Sequence, residues 1–113
     1  MAVWALGINH NTAPLDLRGR FAFAIDQIAP TLHGLRSALT SATQHPEVET
    51  AILSTCNRVE VLVVGDGDEP RRRALQCWAS ARGRTVDELT PYLYQYKDDE
   101  AVRHLFSVAS SLD

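Results

Sequence analysis

The run AVWALGINH, residues 2–10, sets Val3, Ala5 and Gly7 on one side of an extended chain and Trp4, Leu6 and Ile8 on the other. Both sides are apolar, so the pattern predicts a strand that can be buried on both faces. HNTAPLDLRGRFAF reads as a polar connection containing Pro14. Ile28, Leu32, Leu35 and Leu39 then recur at helical spacing, with Asp26 as the N-cap and Pro30 near the helix start. TSATQHPEVE reads as a loop. TAILST and VEVLVV are two short β-forming runs a few residues apart, the spacing of a hairpin. GDGDEP is a turn, and Pro70 suits the first position of a second helix with Leu75, Trp78 and Ala79 as its apolar stripe. Thr85 and Glu88 have capping-box spacing. YLYQY predicts a fourth strand. DDEAVRHLFSVASSL predicts a last helix, with Asp98 and Asp99 favourable at its N-terminal end.

The predicted order is β-α-β-β-α-β followed by a helix, the order of an α+β ferredoxin-like split βαβ sandwich. One domain is expected over residues 1–113, without repeats or low-complexity segments. No apolar run approaches the ~20 residues needed to span a bilayer, and the N-terminus lacks a signal-peptide pattern. Cys56 and Cys77 are the only cysteines, too few for a disulfide scaffold and in keeping with a reducing, cytoplasmic setting. The formal net charge of -3 argues against broad, salt-driven nucleic-acid binding. The cations are ten arginines and one lysine, and Arg71, Arg72, Arg73, Arg82 and Arg84 cluster in one segment. That cluster reads either as a local basic face or as an ordinary solvated helix surface.

The candidate chemistry lies in ILSTCNRVEV, residues 52–61, where a strand-like run ends on a thiol and then resumes. Cysteine is commonly an inert small hydrophobe. At a strand end, however, Cys56 is better exposed than at a strand centre, and Arg58 two residues on can stabilise a thiolate. Thr55 and Asn57 offer polar contacts to a substrate. Cys77, beside Trp78 in an apolar stripe, reads as core. Of the four histidines, His33 and His45 carry no partner signal, and His10 ends the first strand. His104 falls just outside the apolar arc of Ala101, Val102, Leu105, Phe106, Ala109 and Leu112, at a boundary between core and cleft. No Cys and His stand at metal-ligand spacing, GDGDEP is not a calcium loop, and no glycine-rich nucleotide motif is present.

ALGINHNTAPLDLRGRFAF, AILSTCNRVEV and DEAVRHLFSVASSLD together resemble the N-terminal domain of the glutamyl-tRNA reductase family, in the family's order. The resemblance implies an oxidoreductase of tetrapyrrole (5-aminolevulinate) biosynthesis that converts glutamyl-tRNA to glutamate-1-semialdehyde with NADPH. It implies Cys56 as the nucleophile that takes the glutamyl group as a thioester, and His104 as a functional histidine. Thr55, Asn57, Arg58 and Glu60 belong to the implied substrate-binding block, with Arg58 meeting the glutamate carboxylate and Glu60 orienting Arg58. The complete enzyme is implied to be a homodimer that passes its product to the glutamate-1-semialdehyde aminomutase. The sequence departs from the family pattern at Arg18-Gly19-Arg20 for R-E-R, at Val59-Glu60 for Thr-Glu, and at Ser110-Ser111-Leu112-Asp113 for S-G-L-D. It stops before a substrate-binding serine and before the NADPH-binding and dimerisation domains, so an excised catalytic domain is expected, binding neither NADPH nor a metal. A cysteine-dependent acyl hydrolase and a non-catalytic ferredoxin-like module for RNA or protein are the competing expectations. The second lacks the aromatic stacking pattern of an RNA-binding sheet.

Overall fold

The computed structural model describes residues 2–43, 48–55 and 57–110, without the side chains of 41–43. Four strands form one antiparallel sheet: β1 (Ala2–Asn9), β2 (Glu49–Ser54), β3 (Arg58–Gly65) and β4 (Tyr94–Lys97). Their spatial order is β2-β3-β1-β4. Helices α1 (Leu15–Phe21), α2 (Ile25–Thr43), α3 (Glu69–Ala81), α4 (Val86–Leu89) and α5 (Asp99–Ala109) and a 3-10 turn (Thr90–Tyr92) complete the chain. This is the expected ferredoxin-like split βαβ sandwich with an added C-terminal helix.

Alternation along β1 and β3 divides the sheet into two faces. Leu6, Ile8, Val59, Val61 and Val63 join Leu17, Phe21, Leu35, Leu39, Leu75 and Trp78 in one buried core beneath α1, α2 and α3. Phe21 and Trp78 meet edge to face, with ring centroids 6.1 Å apart. The Trp78 indole Nε1–H donates to the Phe21 carbonyl at 2.9 Å, which satisfies the polar end of this buried ring. The second face carries Ala5, Gly7, Asn9, Arg58 and Glu60, and α5 crosses it.

Several expectations need correction. The polar connection contains α1, whose Leu17 and Phe21, one turn apart, are buried. Asp26 is not the N-cap of α2: the helix starts at Ile25 and Asp26 lies in its first turn. Gln27 does the local capping, its Oε1 accepting from the Ala24 N–H at 3.0 Å. Pro30 sits six residues into α2, beyond the first turn, so the helix forgoes one backbone hydrogen bond there. Residues 40–43, expected as loop, are helical. The hairpin, the α3 stripe and the Thr85–Glu88 capping box form as expected.

The approach of α5 is set by Asp98. This residue has φ 54, outside the usual range for a side chain other than glycine. Its N–H donates to the Val3 carbonyl at 2.7 Å, and its Oδ1 accepts from the Val3 N–H at 3.0 Å. Clamping to Val3 at the start of β1 offsets a backbone cost of about 1–3 kcal/mol and turns α5 back across the sheet. The helix is also rotated relative to the expected apolar arc. Ala101 and His104 face the sheet and are buried, whereas Val102 and Phe106 are exposed, Phe106 by 70%.

Candidate active site

Antiparallel register assembles the site. Leu53, Glu60, Gly7 and Tyr94 form one row across the four strands. Arg58, two residues from Glu60, shares its face, opposite Asn9. Among the described residues, Arg58, Glu60, Asn9 and His104 are the buried polar ones, with Glu60 fully buried.

Glu60 organises the cluster. Its Oε1 is hydrogen-bonded to His104 Nε2, and its Oε2 lies 3.8 Å from Arg58 Nη1. An isolated buried carboxylate would cost several kcal/mol, so the guanidinium and the imidazole are what make this position tenable. His104 meets this carboxylate through Nε2. Two rings fix the imidazole plane: Tyr96 packs on it at 4.6 Å and 32°, and Tyr94 at 5.1 Å and 59°. The Tyr94 hydroxyl accepts from Arg58 Nη1 at 3.2 Å.

The turn at 55–58 is closed by Thr55. Its N–H donates to the Arg58 carbonyl at 2.8 Å, and its Oγ1 accepts from the N–H groups of Arg58 and Asn57 at 3.2 and 3.3 Å. Thr55 thus shapes the turn with its side chain. Asn57 is exposed, and its carbonyl accepts from the His10 N–H at 3.0 Å. Beside it, Asn9 Oδ1 accepts from the N–H groups of Asn11 and Thr12, a tight turn that ends β1. Ser54 Oγ accepts from the Phe23 N–H at 3.0 Å and ties β2 to the α1–α2 junction. Cys56 and His45 lie outside the described residues.

Of the residues singled out in the sequence, Arg58, Glu60 and His104 are brought together. The side chains of His10 and His33 are exposed. The sequence reading missed Gly7, Asn9, Tyr94 and Tyr96. Two tyrosines at i and i+2 on a strand, opposite a mid-strand glycine, were the available signal.

The arginine cluster resolves largely into ion pairs three or four residues apart, at or near the starts of α3 and α4. Arg71 pairs with Asp68 at 2.7 Å, Arg72 and Arg73 with Glu69 at 3.5 and 2.9 Å, and Arg84 with Glu88 at 3.6 Å. The hydrogen bond from Arg71 holds the Asp68 carboxyl below its usual range. Arg82 donates to the Arg20 carbonyl at 3.2 Å. This favours the solvated, paired helix face over an open basic one. Among the described residues no group of His, Cys, Asp and Glu is assembled for a metal, and no helix is long and apolar enough to cross a membrane.

Cys77, expected in the core, is instead half-buried at its edge. It lines a groove of about 540 Å³ with Pro30, Thr31, Gly34 and Ala81, between α2 and α3 and on the sheet face opposite Glu60. Burial pushes its thiol above the ordinary value, partly countered by Arg73. A raised pKa means less thiolate at a given pH, and folded stability that falls as pH rises through the thiol range. Alkylation of Cys77 by iodoacetamide at pH 7.5, in a Cys56→Ser background, is therefore expected to be several-fold slower in folded than in urea-unfolded protein. Equal rates would contradict this placement.

Residues 6–113 match the family model described as glutamyl-tRNAGlu reductase, N-terminal domain. The chain is 55% identical to the glutamyl-tRNA reductase of Acidovorax sp. (strain JS42) over 114 residues, covering 100% of this chain and 26% of that protein. It is 50% identical to that of Polaromonas naphthalenivorans (strain CJ2), over 100% of this chain and 25% of that protein. It is 43% identical to that of Nitratidesulfovibrio vulgaris (strain DSM 19637 / Miyazaki F), over 98% of this chain and 24% of that protein. The chain spans about a quarter of the length of the curated relatives it matches. A model match over most of the chain and identities of this size along its whole length lead to one assignment: the chain belongs to the glutamyl-tRNA reductase family, as its N-terminal domain.

Proposed function

We propose that this chain is the catalytic domain of a glutamyl-tRNA reductase and that Cys56 is its nucleophile. The observation that carries the reading is the buried Arg58–Glu60–His104 cluster, built at the start of the strand that follows S-T-C-N-R. The Cys56 thiolate attacks the ester carbonyl of glutamyl-tRNA. A carbon–sulfur bond forms, the bond to the ribose oxygen breaks, and that oxygen takes a proton as tRNA leaves. The product is a glutamyl thioester on Cys56. Arg58 meets the glutamate side-chain carboxylate, and a guanidinium fork suits a carboxylate better than a point charge does. Glu60 holds Arg58 and His104 in place. His104 serves as the proton-exchanging group beside the ester. Thr55 and Asn57, the residues on either side of Cys56 in sequence, contribute polar groups to the substrate-binding block.

The family relationship supports NADPH as the reductant of the complete enzyme, giving glutamate-1-semialdehyde for tetrapyrrole biosynthesis. The described residues do not fit a dinucleotide. Their sheet is wholly antiparallel, with no strand–glycine loop–helix unit of parallel type. The glycine turn that does open a helix, Gly65 to Glu69, carries Asp66, Asp68 and Glu69, which would repel a pyrophosphate. Nicotinamide binding is accordingly assigned to a region beyond these 113 residues. Homodimerisation and hand-over of product to the aminomutase are likewise assigned to the whole enzyme. A role as an RNA-binding sheet is disfavoured, because Tyr94 and Tyr96 pack on His104 under α5.

Arg58→Lys tests the substrate assignment. It keeps the charge beside Glu60 but loses the fork. Acylation by glutamyl-tRNA is expected to fall by about 10- to 100-fold, the scale of one or two lost hydrogen bonds to a charged group. The urea midpoint should fall far less. Unchanged acylation would remove Arg58 from the site.

A further inference from the structure

We propose that Tyr94 is a positioning residue that orients the Arg58 guanidinium for the substrate carboxylate, and that Gly7 is the opening in β1 that lets it do so. The inference rests on the reading of Arg58 as the carboxylate partner. Tyr94 and Gly7 are direct neighbours across β1 and β4, and Glu60 is the neighbour of Gly7 on the other side. A Cβ at Gly7 would lie 2.6 Å from the Tyr94 hydroxyl oxygen, 2.7 Å from its Cζ and 2.9 Å from the Val59 carbonyl oxygen. Side chains do not approach so closely. The end of the tyrosine ring therefore occupies the space that any other residue at position 7 would fill. Glycine inside a strand is otherwise unfavourable and marks such a close approach.

The hydroxyl that this gap admits accepts from Arg58 Nη1 at 3.2 Å. The same nitrogen is 3.8 Å from Glu60 Oε2, within ion-pair range but too far for a well-formed hydrogen bond. Glu60 thus supplies charge from one side, and Tyr94 supplies a directional contact from the next strand. A planar fork recognises a carboxylate only when its plane is set, so the tyrosine hydroxyl governs discrimination between glutamate and its neutral isostere glutamine. The Tyr94 ring also touches His104, so one side chain couples the carboxylate end of the site to the histidine.

Tyr94→Phe keeps the ring and removes the hydroxyl. Acylation of this chain by glutamyl-tRNA and by glutaminyl-tRNA, each followed against substrate concentration, reads the effect. The preference for glutamyl-tRNA is expected to fall about tenfold, the weight of one hydrogen bond to a charged group. The change should lie in the concentration for half-maximal acylation, with the maximal rate within about twofold for an interaction made equally in ground and transition states. A loss of general packing would not discriminate between the two substrates. A second readout needs no substrate. In nitrogen-15 NMR the Arg58 Nη signals should be separate in the parent protein and averaged in Tyr94→Phe, because rotation about the Nε–Cζ bond is released. Gly7→Ala, if folded, should reproduce the averaging by displacing the ring. Separate Nη signals in Tyr94→Phe would overturn the positioning role, and averaged signals with an unchanged substrate preference would overturn its part in selectivity. A parent chain that forms no glutamyl adduct would refute the proposed function, and the NMR comparison would still decide the positioning.

Discussion

Replacing Glu60 with alanine should cost the fold about 3–5 kcal/mol, the usual cost of removing one partner from a buried ion pair. Glu60 is fully buried, and Arg58 and His104, both nearly so, are anchored on it. Alanine would leave a guanidinium under α5 without its counter-charge and an imidazole without its acceptor. Domains of ordinary stability have about 5–15 kcal/mol in total, so much of the reserve would be lost. Glu60→Gln separates the causes. It keeps the volume and a hydrogen-bond acceptor and loses only the charge, so its loss of stability should be clearly smaller. Acylation should fall in both variants, since neither holds Arg58 by charge. Urea unfolding of the three proteins gives the comparison. A midpoint for Glu60→Ala equal to that of the parent would contradict the central place given to this carboxylate.

The second large effect concerns Cys56→Ser. A serine hydroxyl is scarcely ionised at neutral pH, whereas a cysteine thiol forms its thiolate far more readily. Acylation by glutamyl-tRNA should drop on the order of a thousandfold or more, the scale of losing an enzyme's nucleophile. Stability should barely change, because the two side chains are close in size. The quantity to measure is the initial rate of acyl transfer, with circular dichroism to verify folding. A rate within tenfold of the parent would place the nucleophile elsewhere.

Strand alternation in β1, the hairpin spacing of β2 and β3, and the capping box at Thr85 were legible because each is a local pattern with a local cause. Their order along the chain pointed to the split βαβ sandwich that is observed. Helix α1 was not legible. It is seven residues long, with Gly19 and two arginines around only two buried side chains. Cys77 was read as core because it stands beside Trp78, yet one step along a helix turns a side chain by about 100°, which carried the thiol to the groove. The face of α5 was misread for a related reason. Its most apolar arc does not face the sheet, because His104 gains a carboxylate and two aromatic rings there.

The candidate site was legible in one part only. Thr55, Asn57, Arg58 and Glu60 lie within six residues and could be seen together. The bond between Glu60 and His104 spans 44 positions, and Tyr94 lies 36 from Arg58. Such pairs follow from strand register and from the crossing of α5, which no short window contains. Gly7 was visible as a residue, but its meaning required knowing that Tyr94 lies beside it.

The most direct test of the account is the mass of the protein after incubation with glutamyl-tRNA, followed by peptide mapping. The account predicts a glutamyl adduct on the peptide containing Cys56, removable by hydroxylamine, and slow release of free glutamate. It also predicts that added NADPH yields no aldehyde from this chain alone. A glutamyl adduct mapped to another residue, or glutamate released at the same rate by the Cys56→Ser protein, would contradict it.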